Sequence, residues 1–472
     1  MEAVEIHAEP LDALAELLEP ERAELFLSTA SFARGLLSGR IVWNINSTAS
    51  GGGVAEMLQT LLAYARGAEV DTRWLVLEGD PQFFEITKAL HNALHGSLVG
   101  RTGFDSVDQA HYERVMQANL AQLRGMVRPG DVVLLHDPQT AGLAAGLKQL
   151  GAHVVWRCHI GRDESTEITD LGWAFLRQHV LAADAFVFSR VSYIPDWVPR
   201  ERAVVIQPSI DPFSTKNAEI VGADVRRILL EVGLVHNGDV RETFEFQRRT
   251  GEHGVLRRHA DLVSNAPPPI TAPLVVQVSR WDRLKDMPGV LTGFAAHVAP
   301  HTRDAHLVLA GPDVSGVSDD PEGAQVYAEC RELWRRLPDD VRGRCHLASL
   351  PMDDVDENAF IVNALQRHAA IVVQKSLVEG FGLTLTEAMW KGRPVVASAV
   401  GGLQDQLTDG DEGLLLGDPA DLESFGKLVT RLLEEPELRA AMGQRGQERV
   451  RRTFLGDRHL IEWVHLLRAL AA

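Results

Sequence analysis

Short runs of β-branched and apolar residues, each followed by a helical pattern, recur along most of the chain and constrain its fold more than any single motif does. In the first half they are "IVWNIN" (41–46), "WLVLEG" (74–79), "DVVLLHDP" (131–138), "HVVWRCHI" (153–160), "AFVFS" (185–189) and "AVVIQPSID" (203–211). The rhythm restarts with "LVVQVSRWD" (274–282), "HLVLAGPD" (306–313), "CHLASLP" (345–351), "AAIVVQKS" (369–376), "PVVASAVGG" (394–402) and "GLLLG" (413–417). Strands separated by helices form parallel sheets covered on both faces. Two such series predict an α/β chain of two doubly wound, Rossmann-like domains, one over 1–211 and one within 212–455, with a terminal helix over 456–472. Between the series, 211–273 holds one helical pattern ("DVRRILLEVGL"), a polar Arg-rich stretch and a proline cluster, and reads as a hinge or insertion. Open parallel sheets bind ligands outside the carboxyl ends of their strands, so two facing sheets predict a cleft lined by the loops that follow strands.

Composition narrows what such a cleft can hold. A formal net charge of −18 opposes nucleic acid or an anionic membrane as a general partner. Cys158, Cys330 and Cys345 are too few and too scattered for a disulfide framework or a zinc site, which fits a reducing compartment. The start is acidic and lacks the pattern of a signal peptide, and no apolar run is long enough to span a bilayer. The expectation is a soluble, cytoplasmic protein.

The stretch "KSLVEGFGLTLTEAMWKG" reads as strand, loop and helix, which places Glu379 on a loop at a strand's carboxyl end. Glu379 is either a solvated loop acid or, flanked by apolar residues, a carboxylate that needs a polar partner such as substrate hydroxyls. Glu387 closes "TLTE", the form of a capping box with Thr384 as N-cap, or else faces a ligand. Gly380 and Gly382 allow close backbone approach, and the helix start offers N–H groups to an anion. In "SRWDRLKD", Arg280 and Lys285 follow a strand; they are a solvated pair or the partners of a diphosphate leaving group. Gly51, Gly52 and Gly53 follow the first strand as a flexible turn or a ligand loop. Glu78 stands at a dinucleotide-like distance from them, but the spacing is not G-x-G-x-x-G. His136, Asp137, Arg157 and His159 fall at two successive strand ends and converge on one rim, while Lys88, His91 and Asn92 at helical spacing form either a solvated polar face or a substrate-facing one. No metal-ligand spacing, phosphate-binding P-loop or G-x-S-x-G elbow is present.

"EGFGLTLTE", "SRWDRLKD", "AMWKGRPVVASAVGG" and "NSTASGGGVAEML" together resemble the retaining glycosyltransferases of family 4, which have the GT-B fold. Within that family "FFEITKALHNALHG", "LLHDPQTAGL", "WRCHIGRD" and "QPSIDPFSTKN" are most similar to the trehalose glycosyltransferring synthases, with fungal-type trehalose phosphorylases close by. The resemblance runs from about residue 41 to 455. It implies that Glu379 holds hydroxyls of the donor sugar, that backbone around Phe381, Gly382, Leu383 and Thr384 meets sugar and phosphate, and that Glu387 holds the ribose. By the same resemblance Arg280 and Lys285 grip the diphosphate, the loop at Gly51, Gly52 and Gly53 closes over it, and His159 lies near the reacting carbon. Resemblance and position together put Asp137 and Arg157 on the acceptor side, and the last helix is expected to cross back to the first domain. The implied substrates are a nucleoside diphosphate glucose, glucose and trehalose, with no cofactor, no metal, no nucleic acid or membrane partner, and an architecture compatible with a homodimer. Two departures from the family pattern, a longer segment at 236–269 and Gln404 where a proline is usual, leave the nucleotide preference open.

Overall fold

The computed structural model describes residues 1–49, 53–98, 101–238, 243–248, 251–314 and 321–471. The chain divides into two compact units, Met1–Ser209 with Phe454–Ala472, and Ile210–Thr453.

The first unit is built on β1 (Glu2–Val4), β2 (Val42–Asn46), β3 (Thr72–Val76), β4 (Val132–His136), β5 (His153–Cys158), β6 (Ala185–Phe188) and β7 (Ala203–Val205), in the spatial order β1-β3-β2-β4-β5-β6-β7. All neighbours pair in parallel except β1, which runs antiparallel on the β3 edge. Every residue of β2, β4 and β6 is buried; β4 up to His136 and β6 read as apolar runs, whereas β2 buries Asn44 and Asn46 as well. Alternate side chains serve different layers. Trp43, Ile45, Val133, Leu135, Trp156 and Phe188 enter one core with Phe83, Tyr112 and Phe175. Val42, Leu134, Val155 and Val187 face the other way, against Ala33 and Leu37 and against Trp463, Leu466 and Leu467 of the terminal helix Gly456–Ala471. That helix is tied to the helix Pro20–Leu36 by Arg22, whose Nε and Nη2 reach both carboxylate oxygens of the fully buried Asp457 at 2.5 and 2.6 Å.

The second unit holds a small hairpin, β8 (Glu245–Gln247) with β9 (His253–Val255), and a seven-stranded sheet. Its strands are β10 (Asp261–Val263), β11 (Leu274–Val278), β12 (His306–Pro312), β13 (Cys345–Leu350), β14 (Ile371–Gln374), β15 (Val395–Ser398) and β16 (Leu414–Leu416), ordered β10-β13-β12-β11-β14-β15-β16. β10 alone is antiparallel, again at an edge.

The expected hinge or insertion is thus partly structural. Its helix forms at Gly222–Glu231, and its end supplies the edge strand β10, whose three residues are too few to show an alternating pattern. Its beginning is anchored as well. Asn363 donates to Thr215 O and Ala218 O (2.9 Å each), while Trp390 Nε1 and Arg367 Nη2 donate to Asn217 O (3.2 and 3.1 Å). Among the described residues no helix is long and apolar enough to cross a membrane.

Asp457 is buried and Arg22 is its bidentate partner, so losing the arginine strands a charge. Arg22→Met is expected to destabilise the first unit by about 3 kcal/mol, read by guanidinium unfolding with tryptophan fluorescence; a loss below about 1 kcal/mol, the range of an exposed ion pair, would contradict this.

Candidate active site

In the second unit the strand ends of β11 and β14 bring two of the expected residues into contact. Gln277, fully buried near the end of β11, donates from Nε2 to Lys285 O (2.8 Å) and accepts the backbone N–H of Lys375 at Oε1 (3.1 Å). Leu377 N donates to Leu284 O (2.7 Å), so the single turn Arg283–Lys285 is stitched to the loop after β14. Asp282 caps that turn by accepting Leu284 N at 2.8 Å. Lys285 Nζ then meets Glu379 Oε2 at 2.5 Å, and Ser376 Oγ donates to the same oxygen at 3.1 Å. Glu379 is 7% exposed, so it is not a solvated loop acid; a carboxylate that far from water needs such donors. Arg280 is not part of this contact: its guanidinium is 61% exposed and bonded to Asp282 at 3.1 Å.

The backbone beside Glu379 turns at Gly382, which has φ +84°. A Cβ there would lie 2.5 Å from Leu403 Cδ2, so both conformation and space require glycine. Gly382 is the N-cap of the helix Leu383–Trp390 and provides no side-chain cap. The capping-box reading of "TLTE" is therefore corrected: the left-handed glycine starts the helix before Thr384, and the buried Glu387 lies in the second turn rather than at the position a box requires. The first N–H groups of that helix, from Leu383 and Thr384, lack intrahelical acceptors by geometry and suit an anion. Phe381 is buried next to them. The sequence reading missed the clamp on this loop. Gln406, fully buried, donates from Nε2 to Phe381 O (2.5 Å) and Gly382 O (3.3 Å) and accepts from Thr386 Oγ1 (2.6 Å).

In the first unit Gly51 and Gly52 lie outside the described residues, and Gly53 opens the helix Gly53–Gly67. Glu78 is turned to solvent, with its side chain 67% exposed and Oε2 accepting from Gln122 at 3.0 Å. Lys88 is exposed and His91 and Asn92 half-buried on the helix Pro81–Leu94.

The rim at the ends of β4 and β5 does form. Asp137 has φ +64°, a left-handed conformation that aspartate tolerates, and its Oδ1 accepts His159 N at 2.7 Å. His136 Nδ1 and His159 Nε2 share a hydrogen bond of 3.1 Å with stacked rings, and His136 Nε2 faces Asn44 Oδ1 at 3.3 Å. Burial and the nearby Arg157 charge push His136 down to about 3 and His159 well below the usual imidazole value, so both are neutral near pH 7. Burial lifts the Asp137 carboxyl to about 7, against the opposing pull of the His159 N–H and of Arg157.

Arg157, the register partner of His136, directs its guanidinium to the terminal helix. The residue is 1% exposed; its guanidinium donates to His459 Nε2 (2.9 Å) and Ile206 O (3.3 Å) and stacks over Trp463, with Nε unpartnered, and burial lowers its pKa to about 9. Because arginine only donates, His459 accepts at Nε2 and its Nδ1–H points to Ser209 Oγ at 2.9 Å. The expectation that Arg157 lines the acceptor side meets a side chain bonded to the terminal helix and sheet. His459 carried no sequence signal, being one polar residue in an amphipathic tail.

The trehalose synthase N-terminal domain family matches residues 44–195, and the glycosyl transferases group 1 family matches residues 264–449. The trehalose synthase of Pyrococcus horikoshii is 33% identical over 437 residues, covering 92% of this chain and 91% of that protein. That of Rubrobacter xylanophilus is 34% identical over 464 residues, 97% of each. The chain belongs to the trehalose synthase family of glycosyl transferases. Trehalose phosphorylase of Pleurotus sajor-caju is more distant, at 25% over 393 residues, 78% of this chain and 50% of that protein. The solved α,α-trehalose 6-phosphate synthase of Burkholderia multivorans shares the GT-B fold with a TM-score of 0.68 at 17% identity, over 92% of this chain and 99% of that one. As a member of this family the chain is a glycosyl transferase of trehalose-related chemistry.

The buried neutral imidazoles set the acid limb of stability. Their folded pKa values are depressed, so their contribution is complete above the ordinary imidazole value and is lost as pH falls below it. Asp137, raised to about 7, acts oppositely: its contribution is complete below the usual carboxylate range and fades as pH rises toward 7. With His136, His159 and His459 against one aspartate, the net expectation is weaker folding at pH 5.0 than at 7.5. His459→Gln should lower stability at pH 7.5 yet shrink the difference between the two pH values; an undiminished difference in denaturation midpoints would contradict the assignment.

Proposed function

We propose that this glycosyl transferase moves an α-glucosyl group from a nucleoside diphosphate glucose to free glucose, forming α,α-trehalose with retention, reversibly and without a metal. The observation that carries the reading is the part-buried Lys285–Glu379 pair beside an uncapped helix start at Gly382. A carboxylate largely removed from water suits donor hydroxyls, and a lysine bonded to it suits an adjacent phosphate.

In this reading the bond between the anomeric carbon and the phosphate oxygen breaks, and a bond to the acceptor oxygen forms on the same face. The acceptor's proton passes to the departing phosphate. Lys285, Arg280 and the N–H groups of Leu383 and Thr384 stabilise the charge that builds on that phosphate, each charge-assisted bond contributing roughly 1.5–3 kcal/mol. Glu379 orients the donor sugar and Glu387 the ribose, with Phe381 and Gly382 shaping the surface between them. His159, kept neutral by burial, offers an uncharged imidazole to an acceptor hydroxyl, and Asp137 fixes its backbone. Trehalose phosphorolysis is the second reading, favoured by the similarity to the Pleurotus enzyme, with inorganic phosphate in place of the nucleotide.

Chelator-treated enzyme with glucose and UDP-, ADP- or GDP-glucose in separate reactions is expected to give trehalose from at least one donor. Glu379→Gln should lower turnover by about 10²-fold or more with unchanged circular dichroism. Glucose 1-phosphate from trehalose and phosphate, with no disaccharide from any nucleotide donor, would establish phosphorolysis instead.

A further inference from the structure

Behind the Lys285–Glu379 contact lies a second ion pair that takes no part in the chemistry described above. Lys375, 1% exposed, directs Nζ onto Asp286 Oδ2. Asp286 is the residue after Lys285 and sits in the left-handed region at φ +48°, ψ +44°, with Oδ1 accepting Gly289 N at 3.1 Å as the cap of the helix Met287–Gly293. A non-glycine residue in that region is held there by its surroundings. Here the holding groups are the cap and the buried ammonium.

Lys375 is linked to Lys285 by a second path, because its backbone N–H and Lys285 O are bridged by the side chain of Gln277. The charges thus alternate along the turn, Lys375 to Asp286 and Lys285 to Glu379. Asp286 follows Lys285 directly in sequence, so an Asp286 carboxylate deprived of Lys375 becomes a rival acceptor for Lys285.

We propose that Lys375 is a positioning residue: by occupying Asp286 it fixes the left-handed turn and keeps Lys285 on Glu379. The effect on transfer rests on the functional reading above; the effect on Lys285 does not. Lys375→Met should lower kcat roughly 10- to 100-fold, the scale of an ångström-sized misplacement, with KM for glucose little changed. Asp286→Asn alone should also impair turnover, since it leaves a buried ammonium unpaired. Asparagine tolerates the left-handed region and still caps Gly289, so Lys375→Met combined with Asp286→Asn removes the rival without disturbing the turn. The double variant should recover to within about fivefold of the native kcat, a rescue that a purely structural role for Lys375 does not produce.

The accompanying measurement is the acetylation rate of Lys285 by mass spectrometry, which needs no substrate. The native chain and the double variant should react alike and Lys375→Met differently. An unchanged Lys285 rate in Lys375→Met, or a double variant as impaired as the product of the singles, overturns the proposal. Altered Lys285 reactivity that the double variant restores, with native enzyme inactive on every nucleotide donor, upholds the positioning role and sinks only the functional reading.

Discussion

A carboxylate removed from water must find a cation or strong donors, and in the second unit that requirement falls on Glu379. Its answer, Lys285 at 2.5 Å, comes from a different strand end, so the contact joins the loops after β11 and β14 into one surface. Gln277 below it, Ser376 beside it and the Lys375–Asp286 pair behind it all fix the same two loops. The glycine turn at Gly382 and the amide of Gln406 then hold the next stretch, where the helix Leu383–Trp390 starts. The result is a charged surface fixed by hydrogen bonds and ion pairs from several directions.

The first unit solves a different problem. Its rim is built from groups that burial keeps uncharged or nearly so, with His136 and His159 neutral and Asp137 titrating near neutrality. Arg157, whose charge acts on that rim, has its guanidinium bonded to His459 and laid over Trp463 on the terminal helix. A residue more than three hundred positions distant in sequence is thereby bonded to the strand that presents His159, and the last helix becomes part of the support for the rim rather than a mere cover for the sheet.

The sequence disclosed the α/β class and the doubling of the sheet because buried parallel strands leave unbroken apolar runs that no surface requirement interrupts. Glu379 and Lys285 were legible for a related reason: each is a charge at the end of such a run. What stayed hidden was short or long-range. β10 has three residues and no period to read, and Gln406 and His459 look like ordinary polar residues until the fold brings Phe381 or Arg157 to them. The "TLTE" pattern pointed to a cap because local spacing cannot reveal that Gly382 starts the helix earlier. Arg157 sits at a strand end beside His136, but only the fold shows that its guanidinium reaches the layer occupied by the terminal helix.

The central claim is that Lys285 and Glu379 belong to a nucleotide-sugar site. Calorimetric titration of UDP, ADP and GDP into the native chain and into Lys285→Met tests it without depending on turnover. The account predicts that at least one nucleoside diphosphate binds the native chain and that the variant binds it roughly 10- to 100-fold more weakly, the loss of one charge-assisted bond. Equal affinity in the two chains, or no binding of any of the three, would contradict it.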